Sequence, residues 1–228
     1  MNKLMKIGHR GAKGYLAENT IASFHKAHLM GCHGIEFDVH LSADDEVIVI
    51  HDETVDRTSD GTGFVRDLTL NELRKLRIDL KHQIPTLKEV LDHTEEFQLI
   101  NIEIKAASAA NPVVDLIEKW IFEKKTKYHR FLVSSFDWEA LKQIRENNPS
   151  IPLGVLTQTD LNLAIGFSDY IKAETIHPYF HLLTSENTTR MQQSGFGVFP
   201  WTVNEHEDIA RMKSFKVNGI ISDFPDRL

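Results

Sequence analysis

The feature that most constrains the fold is a repeated alternation of short and long apolar patterns along the 228 residues. Runs with a period of two, typical of strands, alternate with runs of helical period about eight times. This pattern predicts strands at 4–9, 34–40 with 47–51, 99–105, 131–135, 152–157, 169–173, 197–203 and 219–222. It predicts helices at 20–30, 86–94, 112–125, 138–147, 161–166, 183–194 and 206–215. We therefore predict an α/β fold, a (β/α)8 TIM barrel, with a doubly wound open sheet as the alternative.

One segment, residues 52–85, interrupts this rhythm. It contains Gly61, Gly63 and many charged residues before helical patterning resumes at Thr86. A structureless loop of this length is unusual in a compact protein, and residues 68–76 have a short helical pattern. We expect a small insertion after the second strand, with partial order of its own, in a single domain that spans residues 1–228.

The composition limits the partners. Lys and Arg total 26 and Asp and Glu total 33, which gives a formal net charge of −7. This argues against a general nucleic-acid-binding protein, which needs a basic surface, but allows a small anionic substrate at a locally positive site. The single cysteine, Cys32, cannot close an internal disulfide, and no apolar stretch is long enough to span a membrane. We expect a cytoplasmic protein without stable membrane insertion and leave its oligomeric state open.

Acidic residues stand at a spacing of two on the predicted strands. Glu36 and Asp38 share one strand face, and the apolar residues beside them share the other. Glu103 and Lys105 have the same spacing on a later strand. In a parallel barrel the carboxylates would converge at one mouth and repel each other unless a cation is present, and oxygen ligands favour Mg²⁺ or Ca²⁺. The alternative to a metal site is that the carboxylates lie at a solvated strand end or form an ion pair with Lys105.

Two histidines flank this acidic cluster at predicted strand ends. His9 and Arg10 end the first strand, and His51 follows the apolar run 47–50. Histidine titrates near neutral pH and is a common general acid or base. Arg10 and Lys105 would supply positive charge for a phosphate group. Together these residues are a more specific indication of an active site than either histidine alone.

Short motifs spread over the chain resemble a known family. They read His9-Arg10-Gly11, Glu18-Asn19-Thr20, Glu36-Phe37-Asp38-Val39, His51-Asp52, Arg57-Thr58-Ser59, Glu103-Ile104-Lys105, Ser134-Ser135-Phe136, Pro200-Trp201-Thr202-Val203-Asn204 and Ser222-Asp223-Phe224-Pro225. In this order the motifs resemble the glycerophosphodiester phosphodiesterase family, in its bacterial cytosolic type, over essentially the whole length.

The resemblance implies a metal-dependent barrel with an insertion after the second strand. It also implies positions for the site residues: metal ligands Glu36, Asp38 and Glu103, catalytic His9 and His51, and substrate-binding Arg10, Lys105 and Trp201. Arg10 and Lys105 would lie near the phosphate, and Trp201 beside the glycerol or the leaving group. Asn19 is expected to cap the first helix and fix the loop that carries Arg10.

The activity implied is hydrolysis of a small glycerophosphodiester to glycerol 3-phosphate and an alcohol, with one divalent cation. One histidine would be the general base and the other the general acid. Which histidine has which role is left open, as is the attacking group, water or the glycerol hydroxyl of the substrate. Two alternatives keep the same barrel: a lysophospholipase D-type phosphodiesterase and a non-catalytic glycerophosphodiester-binding protein. Retention of both histidines and all three acids argues against the second.

Overall fold

Strands and helices alternate along residues 4–228, the part of the chain that the computed structural model describes. The strands are β1 (Met5–His9), β2 (Gly34–Leu41), β3 (Val47–Val49), β4 (Leu99–Ile104), β5 (Phe131–Ser135), β6 (Leu153–Thr157), β7 (Thr175–Pro178), β8 (Gly197–Val198) and β9 (Gly219–Ser222). The helices are α1 (Ile21–Leu29), α2 (Leu70–Leu73), α3 (Leu87–Asp92), α4 (Ala110–Lys124), α5 (Trp138–Asn147), α6 (Leu161–Tyr170), α7 (Ser185–Gln193) and α8 (His206–Ser214). Within these residues no helix is both long and apolar enough to cross a membrane.

Parallel strands form the wall of a nearly closed barrel. Their spatial order is β8-β7-β6-β5-β4-β2-β1-β9, and β3 pairs antiparallel with β2. The two ends of this order meet, because the Asn218 N–H donates to the Val198 carbonyl (3.1 Å) and the Ile221 N–H donates to the Pro200 carbonyl (3.0 Å). The predicted (β/α)8 barrel is confirmed, and the alternative of an open doubly wound sheet is wrong.

The alternation of side chains along each strand separates two cores. On β2, the outward-facing Ile35, Phe37 and Val39 are fully buried in the layer between barrel and helices. The barrel interior holds a second apolar cluster, formed by Ile7, Leu99, Leu132, Phe199 and Ile221. Ile7 shares a strand face with His9, and Leu99 shares one with Glu103. The apolar interior layer therefore supports a polar layer at the C-terminal strand ends.

The insertion has a small core of its own with the adjoining part of β3. This core consists of Ile48, Ile50, Val55, Val65, Leu73, Ile78 and Ile84. Helix α2 lies within the predicted helical segment 68–76 and begins with a capping box, in which the Thr69 side chain accepts from the Glu72 N–H and the Glu72 carboxylate accepts from the Thr69 N–H. The partial order expected of the insertion is present. The assignment of residues 1–228 to a single domain stays a prediction.

The strand predicted at 169–173 is wrong. Helix α6 continues past the predicted end at residue 166 to Tyr170, where Phe167 stacks on Trp138 of α5 with the ring centroids 5.0 Å apart. Lys172, with φ +56°, then turns the chain into β7. The true strand escapes a search for apolar alternation because it ends in His177 and Pro178.

His177 is fully buried inside the barrel wall. Its Nε2 lies 2.9 Å from the hydroxyl oxygen of Thr175, and burial lowers the pKa of His177 to about 3. The unfolded chain takes up this proton near pH 6.5, so it binds more protons than the folded chain between pH 6.5 and 3. The contribution of His177 to stability is therefore complete above pH 6.5 and is lost as the pH falls toward 3.

We expect the substitution His177→Gln to make folding less sensitive to acid. Between pH 7 and pH 4.5 the free energy of unfolding of the wild type should fall by about 2–3 kcal/mol more than that of the variant. Urea unfolding at the two pH values measures both. His206→Gln, at an exposed histidine that begins α8, is the control and should behave as the wild type. Equal losses in the wild type and in His177→Gln would contradict the prediction.

Candidate active site

The C-terminal ends of the parallel strands surround a cavity of about 110 Å³. A parallel barrel collects at this end the side chains that terminate or follow its strands. All but one of the site residues predicted from the sequence line this cavity, and the exception, Asp38, is buried beside it. Those that line it are His9, Arg10, Glu36, His51, Glu103, Lys105 and Trp201.

Three buried carboxylates form the most acidic part of the site. One oxygen from each of Glu36, Asp38 and Glu103 lies within 4.8 Å of the others. Strand register produces this arrangement, because Asp38 and Glu103 are direct neighbours on the parallel pair β2 and β4. The three residues are 3%, 1% and 8% exposed, so water does little to screen their mutual repulsion.

Two cations face these three carboxylates. Arg10 Nε lies 3.2 Å from Asp38 Oδ2, and Lys105 Nζ lies 3.0 Å from Asp38 Oδ1. Lys105 also pairs with Glu103. The ion pair with Lys105, considered above as the alternative to a metal site, is therefore present. Arg10 and Lys105 together supply two positive charges against three carboxylates, which leaves one carboxylate charge of the cluster unmatched.

The unmatched charge is visible in the pKa values of the cluster. Burial, together with the charges of Asp38 and Glu103, raises the pKa of Glu36 well above its ordinary value. Burial and the charge of Asp38 raise the pKa of Glu103 to about 7. Burial also acts to raise the pKa of Asp38, but Lys105 and Arg10 outweigh it and hold that pKa below its usual range.

A divalent cation fits this donor set. The set is all oxygen, as hard cations prefer. Among the described residues, Glu36 Oε1 is buried and has no hydrogen-bond partner, so one oxygen is free to act as a ligand. A bound cation would also neutralise the surplus negative charge. Glu36, Asp38 and Glu103 could therefore hold a metal ion.

Two asparagines, Asn19 and Asn101, lie close to the carboxylates. Asn19 Nδ2 donates to Asp38 Oδ2 at 3.0 Å, whereas it is Thr20 that caps α1 with its side chain. The expectation that Asn19 caps this helix is therefore wrong. Asn101, which was not predicted, is buried and lines the cavity. It lies two residues before Glu103 on β4, and this spacing could have identified it.

Both histidines contact a carboxylate through Nδ1. His9 Nδ1 lies 2.6 Å from Asp223 Oδ1, and His51 Nδ1 lies 2.6 Å from Asp52 Oδ1. A carboxylate partner favours the tautomer with the proton on Nδ1, which leaves Nε2 for other contacts. Burial lowers the pKa of both histidines. Asp223 was not predicted as a site residue, because it follows His9 by 214 positions and no spacing rule connects them.

The turn after β1 places Arg10 at the cavity. Arg10 has φ +49° and Gly11 has φ +85°, a region that residues with a side chain rarely adopt. At Gly11 a Cβ atom would lie 2.5 Å from Ser23 Oγ, because α1 approaches the turn closely. The Arg10 backbone N–H donates to Glu36 Oε2 at 3.1 Å, and its guanidinium donates to Glu18 Oε1 at 2.8 Å. The turn thus holds a cation against the carboxylate cluster.

Two aromatic side chains, Trp201 and Phe136, also line the cavity. Trp201 Nε1 donates to the His177 carbonyl at 2.8 Å, and its ring packs edge-on against Phe136 with the centroids 5.3 Å apart. Both rings line the cavity, and Phe136 is 42% exposed. They offer an apolar surface beside the charged groups. Phe136 was not predicted, although an aromatic residue directly after a strand end is a signal that could have found it.

The family model for glycerophosphoryl diester phosphodiesterases matches residues 9–227. A glycerophosphodiester phosphodiesterase of Caldanaerobacter subterraneus subsp. tengcongensis is 37% identical, over 99% of this chain and 96% of that protein. A glycerophosphodiester phosphodiesterase of Bacillus altitudinis is 35% identical, over 97% of this chain and 95% of that protein.

Solved structures share the fold. The glycerophosphodiester phosphodiesterase of Thermotoga maritima matches with a TM-score of 0.84 at 29% identity, over 99% of this chain and 97% of that chain. An Oleispira antarctica phosphodiesterase, solved in complex with the product sn-glycerol-3-phosphate, matches with a TM-score of 0.90 at 24% identity, over 98% of this chain and 94% of that chain. The chain therefore belongs to the glycerophosphoryl diester phosphodiesterase family and is a phosphoric diester hydrolase.

Proposed function

We propose that this enzyme hydrolyses glycerophosphodiesters to glycerol 3-phosphate and an alcohol, using one divalent cation and two histidines. One observation carries the proposal: two histidines, each held at Nδ1 by a carboxylate, border the same cavity as three carboxylates and two cations. The sn-glycerol-3-phosphate bound to the Oleispira antarctica enzyme supports glycerol 3-phosphate as one product.

The charged residues bind the phosphate. Arg10 and Lys105 line the cavity and donate hydrogen bonds to the non-bridging oxygens, where negative charge is concentrated in the transition state. Glu36, Asp38 and Glu103 would hold a Mg²⁺ or Ca²⁺ ion, which would supply further positive charge for the phosphate. Arg10 contacts the same carboxylate cluster, which keeps its positive charge at the phosphate site.

His9 and His51 move the protons. Nε2 of one ring accepts the proton of the attacking hydroxyl as the new P–O bond forms. Nε2 of the other donates a proton to the departing alkoxide as its P–O bond breaks. Asp223 and Asp52 keep each ring in the tautomer and orientation that this exchange needs, through the 2.6 Å contacts at Nδ1.

Trp201 and Phe136 contact the carbon-bearing part of the substrate, either the glycerol or the alcohol. Family membership favours an enzyme over the non-catalytic binding protein considered above. The cytoplasmic location and the lack of a nucleic-acid partner stay predictions. The lysophospholipase D-type activity differs from the proposed activity in its substrate, which is a lysophospholipid and not a glycerophosphodiester without acyl chains.

We expect glycerol 3-phosphate and choline as the products when the enzyme is incubated with glycerophosphocholine and Mg²⁺. Lysophosphatidylcholine, which has the same phosphocholine headgroup but carries an acyl chain on its glycerol, should be turned over more slowly. Product analysis by chromatography decides between the two. Turnover of lysophosphatidylcholine alone would favour the lysophospholipase D-type activity instead.

We expect a chelator to abolish turnover and Mg²⁺ or Ca²⁺ to restore it, because the carboxylate cluster and the phosphate together carry too much negative charge. Glu103→Gln removes one ligand charge and should raise the metal concentration for half-maximal activity by more than about tenfold. Partial recovery at high metal should follow. Glu139→Gln, at an exposed carboxylate on α5, is the matched control and should respond as the wild type. Full activity in excess chelator would refute the metal requirement.

We expect His9→Ala and His51→Ala each to lower kcat/KM by on the order of 10²–10⁴, with no recovery at high metal. The double variant should lose far less than the product of the two losses, because an acid and a base that act in one step are non-additive. His206→Ala is the matched control.

The choice of leaving group then assigns the roles. A nitrophenyl diester needs little protonation as it departs, so the variant that lacks the general acid should keep more activity on this substrate than on glycerophosphocholine. Near wild-type activity of both histidine variants on glycerophosphocholine would overturn the mechanism.

A further inference from the structure

Arg57, in the insertion, contacts two carboxylates at once. Its Nε donates to Asp52 Oδ2 at 2.6 Å and its Nη2 donates to Asp52 Oδ1 at 3.1 Å. Its Nη1 donates to Glu18 Oε2 at 3.1 Å and its Nη2 also donates to Glu18 Oε1 at 2.7 Å. The planar guanidinium therefore binds two carboxylates in a bidentate manner, one on each edge.

Each of these carboxylates holds one residue of the active site. Asp52 Oδ1 lies 2.6 Å from His51 Nδ1, and Glu18 Oε1 accepts a hydrogen bond from Arg10 Nη1 at 2.8 Å. Arg57 is thus the common partner of the group that orients His51 and the group that orients Arg10. No atom of Arg57 lines the central cavity, so it acts through these two carboxylates.

The charges of the three groups depend on one another. The hydrogen bond from Arg57 is the main reason that the pKa of Asp52 falls to about 2. Burial acts to raise the pKa of Glu18, but the hydrogen bond from Arg57 and the charge of Arg10 lower it below its ordinary value. Both carboxylates therefore stay ionised near neutral pH, as acceptors for His51 and Arg10.

The insertion fixes the position of Arg57. Val55, two residues earlier, is fully buried in the insertion core, and its N–H donates to the Gly63 carbonyl at 3.0 Å. Ser59, two residues later, donates from its hydroxyl to the Val55 carbonyl at 2.8 Å. The Arg57 side chain itself is 49% exposed, and ion pairs at such exposed positions contribute little to stability. The geometry of the contacts therefore points to a functional rather than a stabilising role.

We propose that Arg57 is a positioning residue, through which the insertion orients His51, by way of Asp52, and Arg10, by way of Glu18. This inference rests on the proposed function, in which His51 transfers a proton and Arg10 binds the phosphate. It assigns to the insertion a part in the chemical step. It also gives a role to Arg57 of the motif Arg57-Thr58-Ser59, which the reaction described above does not use.

The test compares Arg57→Lys and Arg57→Gln with the wild type on glycerophosphocholine at saturating Mg²⁺. Lysine keeps the charge but has no planar fork, so it cannot hold both carboxylates. We expect kcat to fall by about 10–100-fold in both variants, with KM changed by less than about threefold and the thermal midpoint unchanged. Arg66→Lys and Arg66→Gln are the matched controls, because Arg66 is an exposed arginine of the same insertion whose contact to Asp67 is 3.9 Å long.

Chemical rescue is a second test of the role of Arg57, and a folding defect cannot produce the same result. In Arg57→Ala the half-exposed position leaves room for a free guanidinium ion, which can bridge the two carboxylates. Added guanidinium at millimolar concentration should restore part of kcat, and sodium or ammonium at equal ionic strength should not. Equal effects of guanidinium and ammonium would contradict positioning by a fork.

A third readout does not need turnover. The ¹⁵N signals of the His51 ring, recorded with Mg²⁺, should show a single tautomer with the proton on Nδ1 in the wild type and in Arg66→Gln. In Arg57→Gln they should shift toward a mixture of tautomers. If the wild type fails to hydrolyse glycerophosphocholine, the proposed function fails, and the ring signals still decide whether Arg57 positions His51.

Three further outcomes would overturn the inference about Arg57. The first is a kcat within twofold of the wild type in both Arg57→Lys and Arg57→Gln. The second is a rise in KM with unchanged kcat, which would make Arg57 a substrate-binding residue. The third is an unchanged His51 tautomer in Arg57→Gln.

Discussion

The organisation of the site depends on the mutual repulsion of three carboxylates that the strand register buries side by side. Glu36, Asp38 and Glu103 cannot all ionise in a buried position unless positive charge is supplied. Arg10 and Lys105 supply part of it, and both concentrate on Asp38, whose pKa is lowered while the pKa values of the other two are raised. The same shortage of positive charge makes the cluster suited to a divalent cation and, with the cation, to a phosphate.

The positions of many site residues can be predicted from the alternation of side chains along the strands. In a parallel barrel, a residue that alternates with Ile35, Phe37 and Val39 must face the interior, so the inward position of Glu36 and Asp38 follows from the sequence. Strand ends at one mouth then bring His9 and Glu103 to the same place. The sequence was sufficient for these residues because each is fixed by local periodicity together with a single rule of fold architecture.

Contacts between distant segments could not be predicted in the same way. His9 contacts Asp223, 214 positions away, and Glu18 contacts Arg57, 39 positions away. The local sequence around one residue of such a pair does not predict the position of the other. Strand β7 was misplaced for a related reason, since the burial of His177 follows from what surrounds it and not from its own hydrophobicity. Asn19 is a third example of a contact that the sequence could not predict. The local sequence is compatible with a helix cap at Asn19, but in the fold its side chain donates to Asp38.

The two histidines illustrate how the fold makes similar groups differ. The proposed acid–base catalysis needs one protonated and one unprotonated group, yet both rings contact a carboxylate at the same distance of 2.6 Å. The two histidines differ in the groups that bind their carboxylate partners. Asp223 accepts from the neutral amide of Asn204 at 2.9 Å, whereas Asp52 is bound by the charged guanidinium of Arg57. The carboxylate beside His51 is therefore compensated by a directly bound cation, whereas Asp223 meets an amide and, through charge alone, Lys13. The insertion, which supplies Arg57, is thus part of what distinguishes the two histidines.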